Sequence, residues 1–152
     1  MKMTGHETLN KIRQDLFNGW METIAYIEEP AIKASQIYEV KAESEDVYEV
    51  YEAAKAARDA TRAAAKSFSK LHVKVGMFEK ETGQFIERLI HDDLVKKYKN
   101  QTRAYQNILG YLDSQKLKYL SQAKKEFEYS DRHQKKGVGK ILKIKKDIGI
   151  KE

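Results

Sequence analysis

Residues 53–71 read Ala53-Ala54-Lys55-Ala56-Ala57-Arg58-Asp59-Ala60-Thr61-Arg62-Ala63-Ala64-Ala65-Lys66-Ser67-Phe68-Ser69-Lys70-Leu71, and this stretch decides the fold class. Alanine has the highest helix propensity and lysine and arginine follow it closely. Ala53, Ala57, Ala60, Ala64, Phe68, Leu71 and Val75 recur at steps of three and four, which makes one face of a helix. That face carries little side-chain bulk, so a neighbouring helix can approach closely. The opposite face carries Lys55, Arg58, Arg62, Lys66, Lys70 and Lys74. At 100° per residue these six drift over roughly 160° of one side and run about 28 Å along the axis. Asp59 is the one acid between Lys55 and Lys74.

The flanking sequence extends the helical pattern in both directions. Upstream, Thr4 and Glu7 have the capping-box spacing, and Leu9, Ile12, Leu16, Trp20, Ile24 and Ile27 form an apolar stripe widened by Phe17 and Met21. Pro30 predicts a stop near Glu28 and a new helix beginning at the proline, because the residue before proline avoids helical dihedrals. Ser44 followed by Glu45 and Asp46 reads as an N-cap with an acidic first turn, while Ile37, Val40, Val47, Val50 and Ala54 would also suit an unbroken helix. Downstream, Gly76 and Gly83 bracket the expected turn, and a third element starts near Gln84. Phe85, Leu89, Tyr98, Tyr105, Leu109, Leu112, Leu120, Ala123 and Phe127 keep helical spacing through it, with weak points at Gly110 and Asp113-Ser114. The chain changes character from Asp131, and His133 to Lys140 reads as a glycine-punctuated linker. Ile141, Leu142, Ile144, Ile148 and Ile150 then alternate with lysines.

Composition agrees with helices. Of 152 residues, 41% are hydrophobic and 34% charged, with one proline and eight glycines, too few for a turn-rich all-β chain. The expected fold is all-α, an elongated, coiled-coil-like antiparallel bundle of three or four long helices. It divides into a bundle domain over 1–132 and a basic, flexible or amphipathic tail over 133–152. Long helices with broad apolar stripes also predict a homo-oligomer. Cysteine is absent, which excludes disulfides, thiolate metal sites and cysteine nucleophiles. No apolar run approaches the ~18 residues of a membrane span, and the first residues lack a signal-peptide core, so the expected location is cytoplasmic.

Charge is the strongest functional signal. Residues 1–52 hold 5 Lys/Arg against 11 Asp/Glu, and residues 53–152 hold 24 against 12. The basic ridge, with Lys135, Lys136, Lys140, Lys143, Lys145 and Lys146 of the tail, predicts sequence-independent contact with a phosphate backbone. Tyr98, Tyr105 and Tyr119, interleaved with Lys97, Lys99, Arg103, Lys116 and Lys118, suggest base stacking as a further contact. The leading expectation is therefore a non-enzymatic nucleic-acid-binding or assembly protein without a cofactor or metal. Its acidic N-terminal third would contact protein. The alternative is a helical protein–protein module, such as a scaffold, chaperone or inhibitor.

Several short stretches resemble known families. His91-Asp92, with His72 upstream and Asp113 or Asp131 downstream, resembles the metal-binding order of HD phosphohydrolases, which implies a small metal-dependent hydrolase as a second alternative. Leu89-Ile90-His91-Asp92-Asp93 is similar to part of an isoprenyl diphosphate synthase motif, with Lys96 where a further aspartate would stand. Glu45, Asp46, Glu49 and Glu52 resemble the magnesium site of helical nucleotide pyrophosphohydrolases, without a matching second acidic pair. Tyr105-Gln106-Asn107-Ile108-Leu109-Gly110-Tyr111-Leu112 resembles small helical recombination mediators of tailed phages. That likeness implies a phage or mobile-element accessory role and a virion-associated location as the alternative to a free cytoplasmic one.

Overall fold

The computed structural model describes residues 4–151. Helices α1 (Gly5–Lys41), α2 (Val47–Lys70) and α3 (Lys80–Arg88) are followed by a π-helical segment (Leu89–Leu94), α4 (Val95–Ser114) and α5 (Leu117–Asp147). The described residues contain no strand. From α3 to α4 the chain is one continuous rod, so four rods pack together. Paired positions run in opposite directions between α2 and α4, where Phe68 stacks on Tyr98 and Thr61 meets Thr102. They do so again between α4 and α5, where Lys97 meets Gln134 and Gln101 meets Ser130. Neighbouring rods are therefore antiparallel, as short connections require.

Helix α1 starts where the sequence says it should. Thr4 Oγ1 accepts from the Glu7 amide, and a Glu7 carboxylate oxygen accepts from the Thr4 amide, each at 3.1 Å. It does not stop before Pro30, which lies inside the helix. The reason is tertiary. Phe17, Ile24 and Ala31 are buried at steps of seven, and half-buried Tyr38 continues the series. Burying that stripe on both sides of the proline outweighs the missing amide bond to the carbonyl of Tyr26.

The chain does break near Ser44, and the cap lies two residues later than expected. Asp46 Oδ1 accepts from the Tyr48 amide, while Ser44 Oγ accepts from the Asp46 amide and donates to Glu49. At its other end α2 stops at Lys70, so Leu71, Val75 and Lys74 are not on the helix. Residues 71–75 run extended with period two. Leu71, Val73 and Val75 turn toward the core, and His72 and Lys74 turn outward.

Two glycines expected to break the chain instead permit close packing. Gly83 sits within α3, where a Cβ would lie 3.3 Å from Val75 Cβ. Gly110 sits within α4 against the Tyr119 ring, 2.9 Å from the position of a Cβ. The break between α4 and α5 falls at Gln115, in the left-handed region at φ 59°. The linker expected over 133–140 is helical, because α5 runs unbroken to Asp147. Gly137 is buried there, and a Cβ on it would meet Leu89 Cδ1 at 3.3 Å.

The core has two parts. One surrounds Phe17, Ile24, Phe68, Ile86, Leu89, Ile90, Tyr98, Ile144 and Ile148. The other surrounds Ala54, Ala57, Tyr105, Ile108, Leu109 and Ala123. Buried Thr61, Asn100 and Ser130 fall between these parts along the chain.

Replacing Pro30 by alanine restores an amide donor at an exposed helix-interior position. Pro30→Ala is expected to raise stability by about 2 kcal/mol and the unfolding midpoint by roughly 5 °C. A lowered midpoint in a thermal melt would show that α1 depends on the proline.

Candidate nucleic-acid interface

The small side chains of α2 set the site. Ala54 and Ala57 are fully buried beside Tyr105, and Phe68 lies 5.8 Å from Tyr98, ring to ring, at 18°. Thr61 has no exposed surface; its hydroxyl donates to the Ala57 carbonyl at 2.8 Å, and Thr102 Oγ1 donates to Thr61 Oγ1 at 3.0 Å. This register sets Arg62 and Lys66 of α2 across from Arg103 and Lys99 of α4. With Ala65, Ser69 and Thr102 they line an open groove of about 450 Å³. Lys55 and Lys70 extend the row on α2, and Lys96 extends it on α4; all three are exposed.

Acids scarcely balance these charges. Asp59 accepts from Arg58 Nε at 3.0 Å, and Arg58 Nη1 also reaches Gln106 Oε1 at 3.5 Å, so the one acid beyond Glu52 on α2 is paired locally. Helix α4 has no acid before Asp113.

The predicted basic residues divide. Lys55, Arg62, Lys66 and Lys70 share the exposed side of α2, Arg58 is half-buried in its ion pair, and Lys74 lies off the helix. None of the α5 lysines lines the groove. Lys135, Lys136 and Lys146 are exposed, and Lys145 is half-buried. The ammonium of Lys143 sits 5.8 Å from the Phe85 ring centre. Lys140 pairs with buried Asp93. Lys99 and Arg103 stand beside the tyrosines in the sequence, but their part is in the groove. The signal was present as Lys96, Lys99 and Arg103, at steps of three and four in an acid-free stretch. Of the tyrosines, Tyr98 and Tyr105 are buried out of reach of a base. Tyr98 and Tyr105 are 1% and 3% exposed, and Tyr119 packs on Gly110. Burial, and after it the charge of Glu28, holds the Tyr98 hydroxyl well above the ordinary phenol range.

A second polar cluster ties three rods together. Asp93 in the π-helical segment accepts from Lys140 and lies 3.3 Å from His133 Nδ1. Lys97 of α4 lies 3.6 Å from Glu28 of α1 and donates to Gln134 of α5 at 2.7 Å. The adjoining space, lined in part by Glu28 and His133, is about 80 Å³, enough for a few waters. A π-helical turn accommodates one extra residue, and here Asp93 is buried while His91 and Asp92 stay exposed. His72 is also exposed on its loop. Among the described residues no three His, Asp or Glu side chains converge as metal ligands, so the order resembling HD phosphohydrolases is not assembled in space. Of the acidic group Glu45, Asp46, Glu49 and Glu52, Asp46 caps α2 and Glu49 is bound to Ser44 and Lys41.

No helix among the described residues is long and apolar enough to cross a membrane. No family model, curated protein or solved structure matches the chain.

Asp93→Asn keeps the shape of the buried side chain and removes its charge. Lys140 and His133 then lose their anion, and the unfolding free energy is expected to fall by about 2 kcal/mol in a urea titration, with Lys140 one-fifth exposed. Unchanged stability would mean that the cluster does not hold the rods together.

Proposed function

We propose that this protein binds nucleic acid without enzymatic action, holding the phosphate backbone on the face formed by α2 and α4. The observation that carries this reading is the groove itself, with four cations from two helices and no acid in its lining. Lys55 to Lys70 spans about 22 Å of helix, and duplex DNA carries one charge per ~1.7 Å of axis, so several phosphates lie within reach. The contact set is Arg62, Lys66, Lys99 and Arg103, flanked by Lys55, Lys70 and Lys96. The lysines of α5 that remain exposed would add long-range attraction rather than groove contacts. An accessory role of the phage or mobile-element kind is compatible with such sequence-independent binding.

A second reading rests on the other side of α2. Ile37, Val40, Val47 and Tyr48 are 56%, 78%, 62% and 70% exposed near the α1–α2 connection. Lys41, Glu49 and Glu52 line the apolar groove that contains Ile37, Tyr48, Ala53 and Ala56. Large apolar side chains left in water on one patch favour a protein contact, and self-association of elongated bundles supplies one. In this reading the acidic N-terminal third is the protein-binding part, and it can act alongside the cationic groove.

Arg62→Glu with Lys66→Glu is expected to weaken binding to labelled DNA at least tenfold at about 50 mM salt and to flatten its salt dependence. Fluorescence anisotropy measures this, with helical circular dichroism as the control. Affinity unchanged within twofold would remove the groove from the account.

Val40→Asp with Tyr48→Asp is expected to abolish concentration-dependent association in light scattering while leaving DNA binding intact. A wild type that stays monomeric at all concentrations would contradict self-association.

A further inference from the structure

Resting on the nucleic-acid reading, we infer that the ligand of the α2/α4 groove is a duplex gripped by its backbone, independent of sequence, and that Lys99 and Arg103 contribute as much to the grip as Arg62 and Lys66. Three features converge on this.

The first is what the groove lacks. Proteins that bind single strands without sequence preference stack bases on aromatic side chains, at about 1–3 kcal/mol per base. The groove lining is cationic, small or hydroxyl-bearing, with no aromatic ring. The rings nearest in sequence, Phe68, Tyr98 and Tyr105, lie in the core. Exposed Tyr26, Tyr48 and Tyr129 sit on α1, on the first turn of α2 and on α5, none of them in the lining.

The second is width. Packed helices lie about 8–10 Å apart, each about 10 Å across with its side chains. Two side by side are about 20 Å wide, too broad for a major groove about 12 Å wide. Base edges therefore stay out of reach, and the two cation rows meet phosphates instead.

The third is rigidity. Both rows stand on helices locked by the Phe68–Tyr98 stack and the Thr61–Thr102 hydrogen bond. A duplex offers a fixed array of phosphates to a fixed array of cations. A single strand would have to be straightened first, with no stacking to offset the lost entropy.

The test is anisotropy with two 20-base-pair duplexes of unrelated sequence and a 20-nucleotide single strand, at about 50 and 200 mM salt. Wild-type protein and the variants Lys99→Glu/Arg103→Glu and Lys99→Gln/Arg103→Gln are compared, each checked for helical circular dichroism. The expected result is duplex affinity at least tenfold above the single strand, with the two duplexes within threefold of each other. The charge-reversing α4 pair is expected to lose at least tenfold, and the neutral pair an intermediate amount. A single strand bound as tightly as the duplex, or α4 variants that bind like wild type, would overturn the inference while leaving the nucleic-acid reading standing. No binding of either form at the lower salt would instead remove the nucleic-acid reading, and this inference with it.

Discussion

The close seating of α2 on α4 is the constraint from which the rest follows. Alanine at 54 and 57 and threonine at 61 leave room for Tyr105, Thr102 and Tyr98 of the facing rod, and Phe68 closes the lower end. That packing sets two rows of cations side by side. Two unit charges about 10 Å apart in water repel by only about 0.4 kcal/mol, less in salt. Burying a single large apolar side chain contributes about 1.5–3 kcal/mol. The apolar side of α2 therefore decides where its charged side goes, and the repulsion becomes a standing attraction for an anion.

The remaining rods serve this pair. Helix α5 covers α4 on its other flank, where Gly110 admits Tyr119 and Gly137 admits Leu89. Where the π-helical segment carries Asp93 inward, Lys140 and His133 come from α5 to meet it. Helix α1 joins through Glu28 and Lys97 and through Tyr38, which meets Tyr105 edge to face at 5.2 Å. Removing one partner of a buried ion pair leaves an uncompensated charge, so the cluster ties the π-helical segment to α5. Ile37 and Val40 near the end of α1 and Val47 and Tyr48 in the first turn of α2 stay exposed, so the protein offers an apolar patch apart from the cationic groove.

Much of this could be read from the residues because it is local. The Thr4–Glu7 box, the break near Ser44 and the division of α2 into small and cationic sides depend on spacing within a few turns. What could not be read depends on tertiary partners. Pro30 stays within a helix because Phe17, Ile24 and Ala31 are buried on both sides of it. Gly83, Gly110 and Gly137 look like breaks in one dimension and are contact points in three. Lys140 looks like one more basic residue of a loose tail until Asp93, 47 residues earlier, is seen beside it. The groove was half legible. Its α2 row is a spacing pattern, whereas its α4 row became a partner only through the antiparallel register.

The proposed contact of an anionic backbone with the face formed by α2 and α4 can be tested directly. At 17.7 kDa the protein suits a nitrogen-15 chemical-shift titration with a short DNA duplex. The largest shifts are expected to cluster on residues 62–70 of α2 and 96–106 of α4, and to fade together as salt is raised. Shifts concentrated instead on the exposed lysines of α5, around Lys135, Lys136 and Lys146, with α2 and α4 unmoved, would contradict it.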